Sequence, residues 1–238
     1  IKNLADGSIT TVTTDGEKNK IINGVPDWVY QEEFGILNSL KWSPSSNTLA
    51  FIRFDESQVP MYSMTMYEGD CHPNKDYSLY PGSYDYKYPV AGEKNSVVSV
   101  MAYDLATSRL QKMNLPITDN DYVPHIDYGT QDDRLMVSTL NRTQNDLHIY
   151  AVNPATTQAT EVYAEQSTSW IDSKSANDVM YYDTFFVMPS EKSGYMHLYQ
   201  YAYDGKLIKQ LTSGNENVTE FYGYDKARKQ FFYQRTNG

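Results

Sequence analysis

One cysteine, Cys71, stands in 238 residues, so no disulfide can form within the chain and no cross-linked framework holds it. Glycine is sparse too: 13 residues, no two of them separated by two, four or five positions. That spacing removes the dinucleotide-binding G-x-G-x-x-G, the phosphate-binding P-loop and the G-x-S-x-G turn that presents a nucleophilic serine. The histidines, His72, His125, His148 and His197, are scattered, with no i, i+4 pair to grip zinc from a helix, and no cofactor or metal is expected. No apolar run nears the roughly 18 residues of a membrane span. No Lys/Arg cluster interrupts a net charge of −10, so neither a membrane nor nucleic acid is an expected partner. The chain opens on Ile1 without methionine or a charged leader, and reads as a piece of a longer polypeptide.

Tyrosine is abundant, 22 residues against 8 Phe and 3 Trp. It favours strands with one face buried and the hydroxyl wet, and the chain is expected to be all-β. Short strands are predicted at 9–14, 36–42, 49–54, 97–105 and 109–115. Two fuller units follow, 123–128, 134–140, 147–152 and 159–164, then 169–171, 179–188 (splitting), 197–203 and 207–212; a half unit at 219–224 and 230–235 ends the chain. Starting points near Val123, Trp170 and Val218 lie 47 and 48 residues apart, the period of four-stranded propeller blades. From the period alone, a β-sandwich or two small barrels also fits. Residues 55–95 lose periodicity while holding 4 of the 10 prolines and 7 of the 22 tyrosines, and read as an extended arm.

One stretch departs from the strand pattern: Gly24-Val25-Pro26-Asp27-Trp28-Val29-Tyr30-Gln31-Glu32-Glu33-Phe34-Gly35. Pro26 and Asp27 are a helix start signal and Gly35 a stop, which predicts one or two helical turns. On a helix, neighbours lie about 100° apart, so Glu32 and Glu33 can border one space, where in a strand they would point to opposite faces. Two carboxylates about 5 Å apart repel by about 1 kcal/mol in water and by more in a cleft, and an arriving ammonium relieves that repulsion. The pair suits a primary amine such as a peptide N-terminus.

Asp27-Trp28-Val29-Tyr30 followed by Gln31-Glu32-Glu33 resembles the double-glutamate motif of the dipeptidyl peptidase IV family of serine peptidases. The similarity continues through Leu40-Lys41-Trp42-Ser43-Pro44, Leu49-Ala50-Phe51-Ile52-Arg53-Phe54-Asp55-Glu56, Val59-Pro60 and Tyr88-Pro89-Val90-Ala91-Gly92. It extends to Leu140-Asn141-Arg142-Thr143-Gln144-Asn145 and Ser190-Glu191-Lys192-Ser193-Gly194-Tyr195-Met196-His197-Leu198-Tyr199.

The resemblance implies that residues 1–238 are a fragment of one β-propeller, about three full four-stranded blades plus two half blades, with the helical turn carrying Glu32 and Glu33. Implied partners are a peptide N-terminus, held through its ammonium by those two residues, and an α/β-hydrolase domain of the same polypeptide. The nucleophile elbow that this domain needs is missing from the chain, so no catalytic residue is expected here. The resemblance further implies a periplasmic, cell-surface or secreted enzyme releasing Xaa-Pro or Xaa-Ala dipeptides, and a homodimer paired through the 55–95 arm. An ordinary blade insertion is the other reading of that arm. Gln31 departs from the acidic residue common at its place, which lowers the local negative potential. The family's arginine for the substrate carbonyl would precede Ile1; its outer aromatic wall would follow Trp170, where Asp172-Ser173-Lys174 does not match.

Two other classes of function stay open from the residues: a glycoside-acting propeller with facing carboxylates, and a protein-binding scaffold without substrate contact. For the fold, an open arc is expected, with no ladder between 9–13 and 230–234, because large blade interfaces resist re-forming into a tighter ring.

Overall fold

The computed structural model describes residues 1–67 and 81–237; Cys71, His72 and the middle of the expected arm lie outside the described residues. Strand β1 (Ile21–Asn23), helix α1 (Trp28–Glu33) and strand β2 (Leu40–Trp42) form one unit with β3 (Thr48–Asp55). β1 pairs with the far end of β3 (Ile21 opposite Asp55, Asn23 opposite Arg53). β2 pairs with its near half on the same edge (Leu40 opposite Phe51, Trp42 opposite Leu49). They are two halves of one strand, interrupted by residues 24–39.

Backbone hydrogen bonds close the base of that interruption. Gly24 N–H donates to Ile52 O at 2.9 Å, Ser39 N–H to Gly24 O at 3.0 Å and Ile52 N–H to Ser39 O at 2.8 Å. Gly24 sits at φ +74°, and a Cβ there would stand 3.4 Å from Leu40 Cδ2, so the pinch point favours glycine.

After β3 the chain makes a hairpin of β4 (Met61–Met66) and β5 (Gly82–Lys87), which pair only with each other among the described residues. Part of the 55–95 stretch is therefore regular. Both strands are largely exposed on both faces, so burial imposes no alternation for a pattern reading to find. The sheet then resumes with β6 (Val97–Asp104) against the free edge of β3, followed by β7 (Arg109–Lys112).

Two meanders follow. The first is β8 (Tyr122–Tyr128), β9 (Leu135–Leu140), β10 (Asp146–Val152) and β11 (Ala159–Gln166), ordered β11-β10-β9-β8. A helical turn, α2 (Lys174–Asn177), leads into β12 (Met180–Tyr181), β13 (Phe185–Ser190), β14 (His197–Ala202) and β15 (Leu207–Gln210), ordered in sequence. A last hairpin pairs β16 (Val218–Asp225) with β17 (Gln230–Arg235). The apolar faces of the first three sheets merge in one core that includes Tyr30, Phe54, Val123, Leu135, Leu147 and Phe186, all buried.

Four hairpin turns share one device. Asp104, Asn153, Asp204 and Asp225 each accept, through Oδ1, a backbone N–H two or three residues on. A left-handed residue completes each turn: Ser108 (φ +56°), Thr157 (+65°), Gly205 (+83°) and Lys229 (+56°).

Several boundaries differ from the sequence expectations. Residues 9–14 form no strand; Ile9 only bridges Lys2, because β-branched propensity without a partner makes no ladder. Residues 36–39 are the return leg of the interruption, leaving only Leu40–Trp42 as strand, and residues 169–171 precede the α2 turn instead of forming a strand. The 179–188 segment does split, at a turn where Tyr182 N–H donates to Phe185 O at 2.9 Å. No ladder joins 9–13 to 230–234 among the described residues, and the arc is open.

Candidate functional site

Helix α1 is one and a half turns long, too short to hold itself, and its anchors are specific. Asp27 caps it, accepting from Tyr30 N–H at 3.0 Å and from Ser96 Oγ–H at 2.6 Å. Burial pushes the Asp27 carboxyl up, and those two donors pull it back in part. Tyr30 is fully buried, edge-on to Phe54 at 4.9 Å and tilted against Phe34 at 5.2 Å.

Its hydroxyl accepts from Val123 N–H at 3.0 Å. That N–H is free because the β8–β9 register breaks between Tyr122 and His125, where Pro124 has no donor to offer the ladder. At the far end, Asn177 Nδ2 donates to Phe34 O at 3.1 Å, tying α1 to α2. Gln31 turns back to donate to Pro26 O at 2.8 Å.

Glu32 and Glu33 are both exposed on this fixed helix, and among the described residues neither carboxylate has a hydrogen-bond or ion-pair partner. Glu33 lines a cleft of about 360 Å³ together with Trp28, Phe34, Tyr88, Tyr122 and Arg142. It is the cleft's one carboxylate, so the facing acid pair of a glycoside-acting site is not found there. Glu32 is not part of the lining of that cleft. Tyr86 on the β4–β5 hairpin has its phenol pushed up by burial, by its tyrosine neighbours and by the charge of Glu32.

Arg142, Asn95 and Tyr122 were not singled out by the sequence reading as site residues. Arg142 sits on a tight turn in which Asn141 Oδ1 accepts from Asn145 N–H at 2.9 Å and Asp146 N–H at 3.1 Å, and its guanidinium donates to Glu93 O. Asn95 Nδ2 donates to Tyr122 Oη at 2.6 Å. Burial raises the Tyr122 phenol while Arg142 lowers it and Glu33 raises it, so both charges act on one oxygen. Arg142 does fall inside a segment carrying the family resemblance; an arginine among polar turn formers simply has no periodicity to flag it. Trp170 donates its indole N–H to Gln144 Oε1 across the same turn.

Consecutive antiparallel sheets of this width, with the polar site on an interruption of one strand, define a propeller-like all-β region. The sequence profile of the dipeptidyl peptidase IV N-terminal region matches residues 1–238, and the chain belongs to that family. It is 40% identical to dipeptidyl peptidase 4 of Porphyromonas gingivalis, with a TM-score of 0.91 over 98% of this chain and 32% of that one. A putative dipeptidyl aminopeptidase IV of Bacteroides ovatus aligns at 27% identity and TM-score 0.80, over 95% and 33%. Dipeptidyl peptidase 4 of Trichophyton rubrum is 30% identical over 97% of this chain and 30% of its own length. The chain thus spans about a third of these relatives. It corresponds to the N-terminal region of dipeptidyl peptidase IV-like proteins. Among the described residues no helix is long and apolar enough to cross a membrane.

Proposed function

We propose that this chain is the substrate-gating, amine-binding propeller segment of a serine exopeptidase that releases Xaa-Pro or Xaa-Ala dipeptides from peptide N-termini. The observation that carries this reading is the pair of unpartnered carboxylates, Glu32 and Glu33, on a helix that Val29 and Tyr30 lock into the core. A peptide ammonium supplies the missing counter-charge through charge-assisted hydrogen bonds. Gln31, occupied with Pro26 O, contributes no negative charge.

The three wide sheets, the β16–β17 hairpin and the Lys2–Ile9 bridge correspond in this reading to about three full blades between two half blades. The hydrolase domain lies elsewhere in the same polypeptide, the β4–β5 hairpin belongs to an arm that pairs two subunits, and the enzyme works in the periplasm, at the cell surface or outside the cell.

The test is kinetic, in the complete enzyme. Glu32→Gln or Glu33→Gln removes a contact worth roughly 1.5 to 3 kcal/mol, which cuts turnover of free-amine dipeptidyl substrates by about ten- to a hundredfold. Substrates with a blocked amine are poor with or without the substitution. Unchanged kinetics in the double variant overturns the assignment.

A further inference from the structure

The hairpin and the strap after it are clasped onto α1 by a run of rings. Tyr88, just past β5, lies over Trp28 with centroids 4.1 Å apart, against Tyr62 at 5.1 Å and against Tyr86 at 5.9 Å. Tyr62 and Tyr86 meet at 6.3 Å across the hairpin, and Tyr84 adjoins Tyr86 at 5.6 Å. Trp28 is the first residue of α1, and Glu32 is four residues on, the next position up the same helix face. The ring that covers Trp28 therefore borders the face that presents Glu32.

The strap, residues 89–95, is fixed at its other end by Arg142 donating to Glu93 O and by Asn95 donating to Tyr122 Oη at 2.6 Å. The next residue, Ser96, donates to the helix cap Asp27 at 2.6 Å. Tyr88 N–H donates to Pro60 O at 3.1 Å, which sets Tyr88 at the base of the hairpin. Hairpin, strap and helix face thus meet at one side chain, while Asp27, Tyr30 and Phe34 hold the opposite side of the helix in the core.

We infer that Tyr88 is a positioning residue for amine recognition: its ring fixes Trp28 against the hairpin and so sets where α1 presents Glu32 and Glu33. The inference rests on the amine-binding reading above and adds that the seating of the hairpin is felt at the carboxylates. Rings convey position here because tilted and edge-on contacts between large, rigid rings have a preferred geometry, whereas a flexible polar contact would let the helix face shift. A displacement well under 1 Å lengthens a charge-assisted hydrogen bond enough to weaken it.

The experiment uses the full-length enzyme and glycyl-prolyl p-nitroanilide, with Tyr88→Ala, Tyr88→Phe and Tyr62→Ala compared with the unsubstituted protein and with the Glu32→Gln/Glu33→Gln double variant. Tyr88→Ala is expected to raise KM about three- to tenfold with kcat within about twofold, since ground-state seating of the amine is what is lost. Tyr88→Phe keeps the ring and restores the unsubstituted KM. Tyr62→Ala, one ring further out on an exposed strand, raises KM in the same direction by a smaller factor.

An unchanged KM in Tyr88→Ala, a loss confined to kcat, or a Tyr88→Phe variant as impaired as Tyr88→Ala each overturns the inference. If Tyr88→Ala does not fold, Tyr62→Ala decides: an unchanged KM there overturns it as well. The glutamate double variant separates the two levels. Unchanged kinetics in that variant removes the amine reading itself, whereas impaired kinetics there beside an unaffected Tyr88→Ala removes only the positioning role.

Discussion

His125 offers the sharpest quantitative check on the fold that carries the site. It lies on β8, with 18% of its side chain exposed and no hydrogen-bond partner for Nε2. Burial disfavours the imidazolium; Asp127, whose Oδ2 is 3.8 Å away, favours it, and Lys41, which approaches Asp127 to 3.4 Å, opposes it again. Burial wins, and the pKa falls from 6.5 to about 4.

Between those values the unfolded chain binds a proton that the folded chain refuses. Stability therefore falls as pH drops from about 6.5 to about 4 and levels off below. At about 1.4 kcal/mol per pKa unit the whole window is worth about 3 kcal/mol, of which about 2 kcal/mol is lost between pH 7 and pH 4.5. Urea unfolding of the recombinant chain at those two pH values, with and without His125→Gln, reads this contribution as the difference between two proteins that share every other titratable group. The unsubstituted chain is expected to lose about 2 kcal/mol more than the variant over that interval. Parallel losses, or an imidazole that titrates near 6.5 by NMR in the folded state, would refute the reasoning.

Two further outcomes are expected. Tyr30→Phe keeps the ring but leaves the buried Val123 N–H without its acceptor, at a cost of about 1 to 3 kcal/mol in unfolding free energy, measurable by denaturant titration. Deleting residues 67–84 from the complete enzyme removes half of β5 and the residues that join it to β4, and sedimentation is expected to show a monomer; a deletion variant that stays dimeric refutes the subunit-pairing role of the arm.

The helix start at Asp27 was legible because capping is local chemistry: one short acidic side chain, three residues from the N–H it serves. The strands of the second and third sheets were legible because β9 is buried throughout and β10 and β14 largely so, which leaves an apolar signature in the sequence. β1 was missed because it is three residues long and only half of a strand whose other half, β2, follows 16 residues later. The hairpin turns carry a repeat, Asp104 and Ser108, Asn153 and Thr157, Asp225 and Lys229, that residue identity hides. Aspartate and asparagine accept the same N–H groups, and serine, threonine and lysine all tolerate the left-handed position when the turn around them is satisfied. That Glu33 lines the cleft and Glu32 does not depends on Tyr88 packing back onto Trp28 from more than 50 residues away, and no local pattern encodes that.

Mounting the carboxylates on an interrupted strand separates what holds the site from what the site presents. A six-residue helix has no independent stability, so its geometry must come from tertiary contacts. Asp27, Tyr30 and Phe34 supply them, with burial of each of the two rings worth about 1.5 to 3 kcal/mol. The pinch at Gly24 and Ser39 keeps the β3 ladder continuous beneath. None of these contacts involves the carboxylates of Glu32 or Glu33. Replacing them with glutamine therefore removes two exposed like charges from one helix and leaves every anchor in place, so the double variant should unfold at the same denaturant concentration as the parent or slightly above it. A loss of binding without a loss of stability is the signature of this division. A double variant destabilised by more than about 1 kcal/mol would mean that the glutamates hold the helix as well as present its charge.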